Sequence, residues 1–140
     1  MRNNDEKGFS LVEIMIVVVV IGVIAALAMP YLQKGIRASE NGNMFATLRT
    51  LSGTQANFYS QGNRFGRLPE INSVTSGSIG TTSGQTIARG KFVLSMNPAS
   101  PTDAELRNGY TIVAIRNVAG EGTIYQYELT ESGEIRQILP

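Results

Sequence analysis

The chain has 140 residues, a net charge of +1, and neither cysteine nor histidine. This length suggests one domain, and so small a net charge gives no electrostatic reason to expect nucleic acid as a partner. The missing residue types exclude a disulfide framework, imidazole bases, thiolate nucleophiles and most zinc sites.

An uncharged apolar segment dominates the first thirty residues. Residues 14–29 read IMIVVVVIGVIAALAM, and a helix counted from Phe9 would rise about 30 Å, enough to cross a bilayer core. Water exposure would cost about 1.5–3 kcal/mol per large side chain, so the segment must lie in lipid, lie in a protein core or be removed. Hydropathy alone leaves three readings open: a signal peptide cut after Ala28, a plain membrane anchor, and a helix that moves from lipid into an assembly.

Glu13 favours the third reading. A carboxylate in an apolar helix costs about 2.5–3.5 kcal/mol at the bilayer centre, a cost that neither a signal peptide nor a plain anchor requires. Cleavage after Gly8 would give Phe9 a positively charged amine. A neighbouring helix displaced along its axis could bring such an amine to Glu13, neutralising both charges inside an apolar bundle.

The heptapeptide at residues 7–13, KGFSLVE, followed by the apolar run, resembles the processing and methylation motif of type IV prepilins and type II secretion pseudopilins. The resemblance implies that residues 1–8 are a leader removed by a prepilin peptidase. It also implies that Phe9 becomes the N-methylated first residue and that Glu13 assists assembly. Gly22 and Pro30 fall where the family has helix-weakening residues, and glycine and proline cost about 1 and 3 kcal/mol in a helix. Pro30 is therefore expected either to kink or end the helix, or to mark a stretch that unwinds in the filament.

Residues 31–60 predict an amphipathic continuation of the apolar helix of residues 9–30. We expect one long, bent helix from Phe9 to about Ser60, with a stop signal at residues 61–63. The stripe from Met44 to Phe58 is predicted to pack on a globular domain. The apolar positions at helical spacing are Leu32, Ile36, Met44, Phe45, Leu48, Leu51 and Phe58.

The rest of the chain predicts a loop and then a sheet. Residues 61–90 lack periodicity and include a small, polar stretch at 73–84; they correspond to the variable αβ-loop of the family. Residues 91–140 predict an antiparallel sheet with strands at 91–96, 110–118, 123–129 and 134–139, and a loop around Pro98, Pro101 and Asp103. The predicted fold class is α+β and pilin-like, a long N-terminal α-helix packed against a C-terminal antiparallel β-meander.

The resemblance implies a structural subunit rather than an enzyme, without cofactor or metal. It would polymerise through its N-terminal helix into a type IV pilus or a type II secretion pseudopilus. The implied partners are the prepilin peptidase, an inner-membrane assembly platform, an assembly ATPase and other minor pilins or pseudopilins. The precursor would cross the inner membrane once with its N-terminus in the cytoplasm. The assembled subunit would lie in an extracellular pilus or a periplasmic pseudopilus.

Other functions depend on weaker signals. One alternative is a secreted soluble binding domain released by cleavage after Ala28, and another is a membrane-anchored enzyme using Glu70 and Glu128. Asp103 and Glu105 are clustered near a loop but do not form a recognised calcium pattern. A basic patch for DNA would have to use scattered residues, which more often keep a surface soluble. Its candidates are Arg64, Arg67, Arg89 and Lys91.

Overall fold

The computed structural model describes residues 8–117, 120 and 124–139. The predicted leader up to residue 7 therefore lies outside the described residues. The helices are α1 (Leu11–Gly62), α2 (Leu68–Val74) and α3 (Asp103–Asn108). The strands are β1 (Thr81–Ser83), β2 (Thr86–Arg89), β3 (Phe92–Met96), β4 (Thr111–Asn117), β5 (Ile124–Thr130) and β6 (Ile135–Leu139). The chain divides into two compact units, Met1–Ser39 and Glu40–Pro140.

In the first unit, the described chain is helical from Leu11 onward and continues through Pro30. An α-helix satisfies its backbone hydrogen bonds internally, which suits a sequence without polar side chains to do so. The expectation that the helix could end at Pro30 is wrong, whereas α1 does end at Gly62, within the predicted stop signal.

In the second unit, one face of α1 enters the hydrophobic core. Met44, Leu48 and Leu51 are at most 1% exposed. Their spacing of four and three residues places them on one side of the helix, as the sequence predicts. Phe58 is half-buried against the same core. The stripe therefore serves as the surface on which the second unit is built.

All six strands form one antiparallel sheet in the order β1-β2-β3-β4-β5-β6, so every strand pairs with the next strand in sequence. Alternate residues point into the core, consistent with the period of two of a β-strand. Buried inward-facing residues are Ile87, Phe92, Leu94, Met96, Ile112, Ala114, Tyr127 and Leu129. The predicted α+β class with a C-terminal meander is confirmed, and β3–β6 lie within one residue of the predicted strand bounds.

Residues 61–90 differ from the predicted loop because they contain α2, β1 and β2. Local hydrogen bonds start the helix: the Arg67 amide donates to the Glu70 carboxylate over 2.8 Å. The sheet thus begins at Thr81, and a two-residue connection at Gly84 and Gln85 joins its first two strands. Gly84 has a positive φ of 58°, a conformation that such tight hairpin turns favour and glycine adopts easily.

Helix α3 occupies part of the loop expected around Asp103. A capping box begins it, because the Thr102 amide donates to Glu105 over 2.7 Å and the Glu105 amide donates to the Thr102 hydroxyl over 3.3 Å. The sequence contains this signal, a threonine followed three residues later by glutamate.

Candidate functional site in the N-terminal helix

The start of α1 brings Gly8, Phe9 and Glu13 into one exposed stretch. Phe9 is 80% exposed and precedes the first helical residue. The first helical turn closes when the Ile14 amide donates to the Ser10 carbonyl over 3.2 Å. Glu13 lies in this turn, where the positive end of the helix dipole favours a carboxylate.

The surface that follows Glu13 is apolar on every side. Within the described residues, α1 is the one helix long and apolar enough to cross a membrane. Its best 18-residue window has a mean hydropathy of 3.0 and no buried residue. The large side chains between Ile14 and Met29 are 47–67% exposed. So much apolar area needs a lipid or protein environment that one copy of the described chain does not supply.

Gly22 and Pro30 lie inside this helix rather than at its ends. A side chain at Gly22 would meet nothing within 4 Å, so no packing within the described chain requires a glycine there. Pro30 lacks an amide proton and cannot donate to the carbonyl of Ala26, one turn earlier. Both positions therefore weaken a helix that the structure nevertheless describes as continuous.

The second unit contains a buried charge that the sequence analysis missed. Arg116 is 0% exposed, and its guanidinium donates to the Glu40 carboxylate over 2.7 Å. It also lies 5.6 Å from the centre of the Tyr125 ring, within the range of a cation–π contact. The alternation of Ile112 and Ala114 along β4 could have identified the next inward position as Arg116.

The two carboxylates of the enzyme alternative lie on different elements of the second unit. Glu70 accepts two hydrogen bonds from Arg64, at 3.0 and 2.7 Å, and these bonds hold the pKa of Glu70 below its ordinary value. Glu128 lies on β5, in register with Arg136 on β6. Neither residue is part of an acidic cluster, since no group of three potential metal ligands occurs among the described residues.

The basic residues considered for DNA binding make contacts with acids and backbone carbonyls of the second unit. Arg67 donates to Asp103 over 2.7 Å, so that acid has a cationic partner. Arg89 donates to the Ser78 and Ile79 carbonyls, and Lys91 lies 3.6 Å from Glu40. Together with Arg64, which donates to Glu70, these cations each contact an acid or a backbone carbonyl.

Comparison with known proteins bears on the N-terminal segment. The family model for the prokaryotic N-terminal methylation motif matches residues 3–29. The chain carries the prokaryotic N-terminal methylation motif. This motif comprises Gly8, Phe9, Glu13 and Gly22 and ends just before Pro30, so the resemblance inferred from KGFSLVE is confirmed.

Two pilus proteins are similar to longer parts of the chain. The type IV major pilin protein PilA of Myxococcus xanthus (strain DK1622) is 36% identical over 63 residues, which cover 45% of this chain and 29% of that protein. Fimbrial protein EcpC of Eikenella corrodens is 35% identical over 60 residues, covering 43% of this chain and 39% of that protein. The matches therefore span well under half of either relative. No solved structure matches the chain.

Proposed function

We propose that the chain is a pilin-like structural subunit that α1 holds in a membrane before assembly into a filament. The observation that carries this proposal is the methylation motif at the head of a helix whose 18-residue apolar window has no buried residue. A signal peptide would need neither the motif nor Glu13. The secreted binding domain released after Ala28 is for that reason not favoured, and a structural role is favoured over an enzymatic one.

Processing would occur at the bond between Gly8 and Phe9. Both residues precede α1, and a side chain at Gly8 would meet nothing within 4 Å, so a membrane prepilin peptidase has room to reach the backbone. Hydrolysis would leave a carboxylate on Gly8 and a new amine on Phe9. Methylation of that amine would retain its positive charge.

Glu13 would then serve assembly. A lone carboxylate is costly in an apolar bundle, whereas a carboxylate paired with an amine is tolerated. A neighbouring subunit shifted along the helix axis would supply its Phe9 amine to this Glu13. Each pairing uses different groups on the two copies and shifts the next copy along the axis, so the contact repeats without closing and would produce a fibre rather than a ring.

Bundling would also remove the apolar surface of residues 14–29 from lipid without exposing it to water. Gly22 and Pro30 would allow the helix to unwind locally in the filament, because each reduces the stability of the helical conformation. The family resemblance implies an inner-membrane platform, an assembly ATPase and minor pilins or pseudopilins as partners. It is compatible with both an extracellular pilus and a periplasmic pseudopilus.

The first test is mass spectrometry of the mature N-terminus from the native host. The proposal requires a chain that begins with methylated Phe9. A chain that begins at Met29 would establish the secreted alternative instead.

The second test is the Glu13→Ala variant, compared with Ser10→Ala as a matched control in the same motif. We expect both variants to lose their leader normally, and only Glu13→Ala to lose filaments in sheared-surface or pseudopilus preparations. Normal filament yield from Glu13→Ala would refute the pairing role.

A further inference from the structure

The apolar surface of α1 extends beyond the uncharged run that ends at Met29. Tyr31, Leu32 and Ile36 are 76%, 61% and 48% exposed. At helical spacing these three residues share one side of α1, and Lys34 and Arg37 share the other. Residues 31–37 are therefore a short amphipathic stretch that directly follows the membrane-length segment.

The charge of this stretch has one sign. Residues 14–39 contain no acidic residue, and Lys34 and Arg37 are their only charges. Lys34 is exposed and makes no ion pair with any residue that the structure describes, while Arg37 is half-buried and has a contact within the chain. Lys34 therefore extends an ammonium group that has no ion-pair partner among the described residues, next to the exposed apolar side chains of this stretch.

The helix length determines where this stretch would lie relative to a bilayer. From Leu11 to Tyr31 the helix rises about 30 Å, at about 1.5 Å per residue, which equals the thickness of the hydrocarbon core. If Leu11 lies at one boundary of the core, Tyr31 lies at the other. Tyrosine is enriched at this level because its ring is apolar and its hydroxyl is polar.

From these observations we propose that residues 31–37 bind the lipid headgroup layer of the membrane that holds the precursor. Tyr31, Leu32 and Ile36 contact the upper acyl chains, and the Lys34 ammonium pairs with anionic phospholipid headgroups. The proposal rests on the membrane location given under Proposed function and adds the lipid chemistry that one segment recognises.

Lipid is favoured over a second copy of the chain for two reasons. The amphipathic stretch is continuous with a helix surface that must already face lipid before assembly. Its positive charge also complements anionic headgroups, which attract basic residues that flank a membrane span. The long aliphatic stem of lysine lets the ammonium reach the headgroups while the helix stays at the boundary.

Fluorescence depth measurement tests the position. The chain contains no tryptophan, so Tyr31→Trp introduces a single reporter into the full-length chain. The variant would be inserted in vesicles of phosphatidylcholine and phosphatidylglycerol that carry bromine either near the carbonyl end or near the middle of the acyl chains. We expect the shallow bromine to quench the Tyr31→Trp variant about twofold more strongly than the deep one, as for a group at the interface.

An Ile21→Trp variant is the matched control, because Ile21 lies midway along the span and should show the opposite preference. If both variants are quenched only by aqueous acrylamide, the proposed membrane location itself is wrong. If Ile21→Trp is deep but Tyr31→Trp is reached only from water, the headgroup proposal alone is overturned. Shielding of Tyr31→Trp from both lipid and water, dependent on protein concentration, would assign the surface to a second copy and would also overturn it.

The anionic preference has its own test. In the Tyr31→Trp background, adding phosphatidylglycerol to phosphatidylcholine vesicles should increase shallow quenching, and Lys34→Gln should remove about half or more of that increase because it removes one interfacial charge. Lys34→Arg should retain the increase, and Arg49→Gln, a charge change in the second unit, should not affect it. An undiminished increase with Lys34→Gln would refute the headgroup contact.

Discussion

A buried amide connects α1 to the segment that follows it. Gln55 is 0% exposed. Its side-chain nitrogen donates to the Gly66 carbonyl, and its side-chain oxygen accepts from the Gly66 amide, both over 2.8 Å. One glutamine thus satisfies both backbone groups of a buried glycine, much as a neighbouring strand would.

Replacing this residue by leucine should strongly destabilise the second unit. Gln55→Leu keeps most of the side-chain volume but leaves a buried N–H and a buried C=O without partners. Each orphaned group costs about 1–3 kcal/mol, so the expected loss is about 2–6 kcal/mol out of the 5–15 kcal/mol that stabilise a typical domain. Gln55→Ala should cost more, since it adds a cavity.

Urea unfolding of the full chain in detergent would measure this loss. Tyr110 and Tyr127 are only 6% exposed, so tyrosine fluorescence and near-UV circular dichroism report on the core. Gln61→Leu, at an exposed position of the same helix, is the control and should change stability by about 0.5 kcal/mol or less. Equal urea midpoints for Gln55→Leu and Gln61→Leu would refute the reasoning.

Three further predictions concern the second unit. Glu40→Ala should lower the free energy of unfolding by about 1–3 kcal/mol, because it removes an acceptor of the buried Arg116. The double variant with Arg116→Met should recover part of that loss. If urea unfolding shows that the effects of the two substitutions simply add, the pair is not coupled. Because Arg64 lowers the pKa of Glu70 below its ordinary 4.5, the stability from this pair is present above that value and is lost as pH falls through the lower folded pKa. As the pH falls below about 4.5, the urea midpoint should therefore drop less for Glu70→Gln than for the parent. Parallel plots of urea midpoint against pH for the two proteins would contradict a stabilising role of the Arg64–Glu70 pair. Gly80→Ala would bring a Cβ to 2.4 Å from the Ala88 carbonyl oxygen, so it should lower the free energy of unfolding by about 1–3 kcal/mol. An unchanged melting temperature would disprove this close approach.

Long periodic patterns in the sequence predicted most of the fold. The apolar run and the stripe through Met44, Leu48 and Leu51 predicted α1. Alternation with clear turn signals predicted β3 to β6 closely. These features repeat over many residues, so competing local preferences do not obscure them.

The helices that the sequence analysis missed are short and begin at local capping hydrogen bonds. Helix α2 relies on the Arg67 amide bonding to Glu70, and α3 relies on the box formed by Thr102 and Glu105. Arg116 was missed for a different reason, since hydropathy alone assigns arginine to the surface. Its place in the alternation of β4 and its Glu40 partner allow it to be buried.

The sequence analysis identified the residues of the candidate site, but their proposed roles remain predictions because the structure contains a single copy of the chain. Gly8, Phe9 and Glu13 are exposed at the head of α1. Their proposed partners are a peptidase and other copies of the chain, so no contact within a single chain can report on them.

The strict sequential order of the sheet has a consequence for biogenesis. Because each strand pairs with the one before it, the sheet can grow one strand at a time from its first hairpin, with little entropic cost per step. The buried face of α1 is made much earlier and cannot be covered until those strands arrive. During that interval Met44, Leu48 and Leu51 form an exposed apolar surface, and slowing synthesis of the last strands should increase the risk of aggregation.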